Sequence, residues 1–158
     1  MASTHKKVIV RKYDRSSLQG FAAGESFVQN GLLEMLNLSG KVMQLPLDEI
    51  KDVHFVKEFS SAEALGSKTF VSRPRVEGLW IRLTFRDNDQ LEGLIPNDLL
   101  ALGRDGIQLT PPSTRSNTQH IFVPRTSIAS LEVLAITGGG KLRRAKSKDS
   151  RQEQMFPL

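Results

Sequence analysis

The sequence predicts an all-β protein in which one small unit of five short strands is used twice. Three observations lead there. The first is an internal repeat. Val8-Ile9-Val10, Asp14 and Leu18-Gln19-Gly20-Phe21 recur as Ile81-Arg82-Leu83, Asp87 and Leu91-Glu92-Gly93-Leu94, 73 positions on and without a gap. Leu33-Glu34-Met35 recurs as Ile107-Gln108-Leu109 at a spacing of 74. Met43, Leu45, Pro46, Ile50, Val53 and Phe55 recur as Ile121, Val123, Pro124, Ile128, Leu131 and Val133 at a spacing of 78. The spacing changes only where loops are expected, as duplication of one supersecondary unit requires. The second observation is that apolar residues alternate in short runs separated by polar turns, the signature of half-buried strands. The third is a glycine at the same place in the second strand of each copy, where a missing side chain permits a bend.

In the first copy, residues 7–13 alternate and are β-branched, so they predict a strand with Val8 and Val10 on one face and Ile9 and Arg11 on the other. Asp14-Arg15-Ser16-Ser17 is a turn, because Asp and Ser bond nearby backbone groups. Leu18–Phe21 opens the second strand, with Gly20 inside it. Strands over 31–36 and 41–46 flank Ser39-Gly40, and Pro46 is expected to end the latter or to sit at an edge, because it cannot donate to a ladder. Val53, Phe55 and Val56 begin the fifth strand.

The second copy follows the same plan. Ile81, Leu83 and Phe85 face one side of its first strand, and Trp80, Arg82, Thr84 and Arg86 the other. Asp87-Asn88-Asp89 makes the turn and Gly93 the bend. Pro96-Asn97-Asp98 predicts a cap for one helical turn over Leu99, Leu100 and Leu102. Strands follow over 106–110, 119–124 and 130–136. Between the copies, residues 60–65 suggest a brief helical turn and residues 70–76, with Pro74, an extended run. The expected organisation is therefore a first barrel over 6–57, a linker over 58–78, a second barrel over 79–137 and a disordered basic tail over 138–158. Units this short bury little surface alone, so they are expected to pack on each other or on another subunit.

This order of signals resembles the Sm-like family, which includes Sm, Lsm and Hfq-type proteins. The resemblance rests on Asp14, Leu18, Gly20 and Asn30 before Leu32-Leu33-Glu34-Met35, on Asp87, Leu91 and Gly93, and on paired strands at 42–45 with 53–56 and 120–123 with 131–134. It covers both repeats and looks most like the tandem bacterial type. It implies two tandem five-stranded Sm-like (SH3-like) barrels, RNA as the class of partner, and pairing of exposed edge strands, either between the two copies of one chain or in homo-oligomers such as a ring of six units from three chains. Family members that bind uridine-rich RNA use an Arg-Gly pair or a basic His in the second motif. Here Ile50-Lys51-Asp52 and Ile128-Ala129-Ser130 stand there instead.

The formal net charge is +5 over 158 residues, but the tail holds six cations against Asp149 and Glu153, leaving only +1 for residues 1–137. Lys141, Arg143, Arg144, Lys146, Lys148 and Arg151 are thus the candidate nucleic-acid contacts, through counterion release. Arg73, Arg75, Trp80 and Arg82 form a candidate junction patch where a base could stack; the plainer reading is Trp80 covering the contact between barrels with arginine stems beside it. The end of the chain, with Gln154, Met155, Phe156 and Leu158, loosely resembles peptides that dock on bacterial sliding clamps. Arg11-x-x-x-Arg15 and Arg82-x-x-x-Arg86 match the arginine spacing of PilZ domains, which bind cyclic di-GMP, though no Asp/Asn-x-Ser-x-x-Gly partner follows.

No catalytic set emerges. Asp87 and Asp89 read as turn formers rather than an acid–base pair. His5, His54 and His120 lack metal-ligand spacing, His54 and His120 are expected on exposed strand faces, and there is no cysteine to supply thiolates or disulfides. No glycine-rich phosphate loop opens a helix. No cofactor is expected. With no apolar run long enough for a signal core or a membrane span, a soluble cytoplasmic binding or scaffold protein, not an enzyme, is the expectation.

Overall fold

The computed structural model describes residues 5–24, 26–60, 68–112 and 117–138. Most of the expected turn at 60–65, the middle of the 110–118 loop and the tail lie outside the described residues. With the tail go Lys141, Arg143, Arg144, Lys146, Lys148 and Arg151, together with Gln154, Met155, Phe156 and Leu158.

The described chain is all-β and antiparallel. The first repeat supplies β1 (His5–Lys12), β2 (Ser17–Ala23), β3 (Val28–Gln29), β4 (Leu32–Asn37), β5 (Val42–Pro46) and β6 (Ile50–Val56). The second supplies β7 (Gly78–Phe85), β8 (Gln90–Ile95), β9 (Gly106–Leu109), β10 (Thr118–Pro124) and β11 (Ile128–Thr137). Single 3-10 turns over Leu47–Glu49 and Arg125–Ser127 join β5 to β6 and β10 to β11. A third, over Leu99–Ala101, is capped by Asp98, whose carboxylate accepts from the Leu100 N–H at 3.0 Å.

The strand register carries the duplication. Val8 lies opposite Gly20, and Ile81 opposite Gly93. Val8 and Val10 lie opposite Phe55 and Val53, while Ile81 and Leu83 lie opposite Val133 and Leu131. Phe21 pairs with Leu36, and Leu94 bridges Thr110. Even the strained turn residue recurs: Arg15 and Asn88 both have φ of 70°, in the left-handed region where a local polar contact is usually needed. Neighbouring Asp14 and Asp87 give one, accepting from the N–H groups of Ser16 and Asp89.

The glycines act by closeness. A Cβ on Gly20 would run into the Leu36 carbonyl and the Met35 side chain, and one on Gly93 would lie 2.6 Å from Leu109 Cδ1 and 3.0 Å from the Thr110 carbonyl. Each glycine therefore lets the second strand of its copy approach the next, which a side chain would forbid.

Two large apolar cores result, with a small third cluster of Ile9 and Val56 under Phe59. Of the large cores, one gathers Val8, Val10, Leu33, Ile50, Val53 and Phe55; the other Ile81, Leu83, Phe85, Leu91, Ile107 and Leu109. The ladders do not close each repeat into a barrel of its own. Instead β3, β4, β2, β1, β6, β10 and β9 follow one another in a single sheet, with β5 on β4, while β11, β7 and β8 form a second. The reason is that β6 of the first repeat hydrogen-bonds to β10 of the second. Among the described residues no helix is long and apolar enough to cross a membrane.

Candidate functional site

The β6–β10 ladder joins the repeats, and its register sets Phe55 opposite His120, His54 opposite Ile121 and Val53 opposite Phe122. Strand alternation lets β10 serve both cores: Ile121 and Val123 enter the second, and Phe122 enters the first. There Phe122 meets Phe27 edge-on at 5.1 Å between ring centres, and Phe27 meets Phe55 in the same way at 5.3 Å. The His120 ring stacks on Phe55 at 4.2 Å. Burial, and then the charge of Lys6, push the His120 pKa below its ordinary value, so the ring is held toward its neutral form. The expectation that His54 and His120 sit on exposed faces is corrected here. His54 is buried and His120 half-buried, because their two strands cover each other.

A charged network lies along the same seam. Asp52, fully buried, accepts from Arg11 Nε at 2.7 Å and from a second guanidinium nitrogen. His54 Nε2 lies 3.3 Å from Asp52 Oδ2, within ion-pair range but without the alignment of a hydrogen bond, and Nδ1 lies 3.2 Å from Thr118 Oγ1 of β10. Burial opposes ionisation of Asp52, but His54 and Arg11 together outweigh it and hold the carboxyl well below the ordinary carboxylate range. The second repeat has no such set: Thr84, Ser130 and Glu132 occupy the places of Arg11, Asp52 and His54.

Around the 3-10 turns the repeats are tied by polar contacts. Lys51 of β6 reaches Asp87 and Asp89 of the opposite hairpin at 2.9 Å each, and Lys68 of the linker reaches Asp89 at 2.9 Å. Desolvation raises the Asp89 pKa, but the two lysines reverse it and bring it down to about 2. Tyr13 bonds the Ser127 hydroxyl, which donates to the Lys51 carbonyl at 2.8 Å, and the Arg86 guanidinium lies 3.9 Å above the Tyr13 ring. Asp87 and Asp89 are thus turn formers and anchors of the seam at once.

The two strands equivalent to the seam are left open. In the described ladders β5 pairs only with β4, and β11 only with β7. Val133 of β11 stands where Phe55 stands in β6, yet it is 51% exposed while Phe55 is fully covered. Val42 of β5, equivalent to His120, is 62% exposed. Unpaired edges with exposed apolar side chains are templates for further strand pairing.

The residues expected at a junction patch lie elsewhere. Trp80 and Arg82 project from β7 toward Glu92, with the indole N–H donating to its carboxylate at 3.0 Å and the Arg82 guanidinium forming an ion pair with it at 3.8 Å. Phe70 of the linker packs edge-on against Trp80 at 5.9 Å. Arg73 donates to the Ile136 carbonyl at 2.9 Å. Arg75 joins Arg73 in a cleft between the linker and Leu94, Thr110, Pro111 and Pro112. This group sits beneath the linker on the second repeat, because the seam is made by β6 and β10 rather than β7. Of the PilZ-like arginines, Arg11 and Arg15 line one cleft with Lys12 and Lys51, while Arg86 is committed to Tyr13 and to the Asp48 carbonyl. Among the described residues no three His, Cys, Asp or Glu side chains group as metal ligands.

The choice of β10 as the strand of the seam has a sequence signal. Phe122 replaces the Gln44 of the first copy on the outward face of an otherwise matching strand, so β10 is apolar on both faces, as a doubly covered strand must be. A family described as one of unknown function (DUF6982) matches residues 4–135, across both repeats and the linker between them. No curated protein and no solved structure matches the chain.

Proposed function

The chain belongs to the DUF6982 family, and we propose that it is a non-enzymatic binding and scaffold module, two tandem Sm-like units that assemble through edge strands and carry RNA. The observation that carries this reading is the asymmetry of the four equivalent edges. One pair, β6 and β10, is joined inside the chain, and the other pair, β5 and β11, has no such ladder among the described residues. The Sm-like resemblance adds RNA as the partner class, and the six cations of residues 141–151 add sequence-independent affinity for phosphates. The protein works in the cytoplasm in this reading.

The test is purification of the full chain from native lysate with and without nuclease, followed by RNA titration over a range of salt. RNA should co-purify and be lost with nuclease. Binding to a single strand should fall with salt at a log–log slope of up to about −4 if all six tail cations engage phosphates. Removing residues 138–158 should abolish most of the affinity. Equal binding by the shortened chain would refute the electrostatic part. A nuclease-resistant oligomer that carries no RNA would favour a protein-only adaptor acting through Gln154, Met155, Phe156 and Leu158.

A second reading has one observation in its favour. Arg11 and Arg15 open into the same cleft, beside Lys12 and Lys51, which suits a cyclic dinucleotide phosphate. Against it, the guanidinium of Arg11 is already bound by Asp52. Saturable cyclic di-GMP binding that is lost in Arg15→Ala would support it.

A further inference from the structure

We propose that the cleft under the linker is a binding site for a small organic phosphate, a monoester whose phosphate sits between Arg73 and Arg75 and whose organic body lies against Leu94 and Pro111. The cleft has a volume of about 480 Å³, within the range of small-molecule sites. It is separate from the tail and from the strand edges, so it does not depend on the RNA reading.

The local sequence brings the two cations together. Pro74 fixes its own φ and keeps Arg73 extended, and alternate residues of an extended chain share a side. Arg73 and Arg75 accordingly line the same cleft. One guanidinium nitrogen of Arg73 donates to the Ile136 carbonyl at 2.9 Å, which positions the group and leaves its remaining N–H donors for a ligand. Arg75 has no hydrogen bond or ion pair among the described residues. No Asp or Glu stands among the described residues that line the cleft. Glu92, beside Phe70, is buried and engaged by the Trp80 indole, Arg82 and the Phe70 N–H. Two positive charges therefore face the cleft without a carboxylate to match them. A phosphate monoester carries a charge of about −1.5 to −2 near neutral pH, which balances the pair. Its oxygens also suit the fork of a guanidinium.

The frame of the cleft is fixed before any ligand arrives. At one end of the linker the Lys68 carbonyl accepts from the Glu92 N–H at 2.7 Å, and at the other the Val76 carbonyl accepts from the Thr137 hydroxyl at 2.6 Å. Opposite, Leu94 and Thr110 exchange backbone hydrogen bonds at 2.9 and 2.8 Å, and Pro111 and Pro112 stiffen the wall. A frame held in this way lowers the ordering cost of binding. The first repeat supplies an internal contrast. Phe21 and Leu36, the equivalents of Leu94 and Thr110, also border a cleft, but Glu34 lines it and no Lys or Arg does among the described residues. The cations of the second cleft come from the linker, which makes anion recognition there a property of the second repeat.

Trp80 is the single tryptophan of the chain and packs against Phe70 of the linker, so its emission reports on the cleft. The full-length protein is titrated with phenyl phosphate, inorganic phosphate and a single-stranded RNA without terminal phosphates, followed by Trp80 emission and calorimetry. Phenyl phosphate should bind saturably, and more tightly than inorganic phosphate, because only the ester brings an apolar body to Leu94 and Pro111. Its affinity should fall as pH drops through about 6, where the phosphate gains its second proton. Arg75→Ala should weaken binding about tenfold or more with circular dichroism unchanged, since Arg75 has no partner to lose. Arg75→Lys keeps the charge without the fork and should fall between the two.

Equal affinity in Arg75→Ala, or no saturation by phenyl phosphate at millimolar concentrations, would overturn the proposal. Displacement of phenyl phosphate by the RNA would overturn it as well, by making the cleft part of an RNA path. Loss of phenyl phosphate binding in Arg75→Ala with RNA binding intact is the expected pattern. A chain that binds phenyl phosphate through Arg75 but no RNA would refute the RNA reading and leave the cleft standing.

Discussion

Phe55 and Val133 hold the same position in two copies of one unit, each opposite the same residue of its first strand. Phe55 is sealed by β10, whereas Val133 has no strand beyond it in the described chain. Around the sealed edge stand a large aromatic, a fully buried Asp52 and its Arg11 and His54 partners. Around the open edge stand Ser130, Glu132 and a smaller valine. The contrast teaches that burial here is set by which strand lies alongside, not by the local pattern.

Truncations separate the two edges most sharply. Phe55→Ala removes a core ring and its contacts with Phe27 and His120, and should cost about 3–5 kcal/mol in denaturant unfolding. Val133→Ala, measured in dilute protein, should stay within about 0.5 kcal/mol. Similar losses at the two sites would break the comparison. Asp52→Ala leaves Arg11 and a buried His54 without their carboxylate and should cost about 3 kcal/mol. Ser130→Ala at the equivalent place should be near neutral by the same measurement.

Where the copies are alike, the effects should be alike. Gly20→Ala and Gly93→Ala each push a methyl into the neighbouring strand and should each lose about 1–3 kcal/mol in thermal or chemical unfolding. A large difference between them would show that the second strands approach their neighbours for different reasons.

Acid should weaken the seam. The Asp52 and Asp89 carboxyls have lower pKa values in the folded chain than the ordinary 3.8, and Asp89 lies at about 2. At low pH the unfolded chain therefore binds more protons, so this stability is complete above the ordinary value and drains away as pH falls from about 4 toward 2. Melting temperature should drop over that window, and less steeply in Asp52→Asn. The smallest effect is expected for Lys51→Ala. It removes ion pairs with partly exposed Asp87 and Asp89 and should cost about 1 kcal/mol or less, with the difference shrinking in high salt.

Much of the fold was legible because its causes are local. Asp14 and Asp87 make turns through their own carboxylates, Asp98 caps the turn at Leu99, Pro46 and Pro124 end strands, and alternation sends Val8 and Ile81 inward. The open edges were less legible. Trp80 and Arg82 looked like part of a junction, yet their partner is Glu92 within their own repeat. His54 and His120 are polar residues on strands, which alone points to exposed faces; their burial comes from the neighbouring strand, which lies far away in sequence.

Sequence alone determined that one unit is used twice, with the same turns, the same close-approach glycines and the same faces turned inward. Only the tertiary structure decided that β6 meets β10 and that β5 and β11 are left open. The physical reason is that a ladder is made by backbone N–H and C=O groups that every strand carries. The choice of partner depends on how two distant surfaces fit, and no short stretch of residues contains that information.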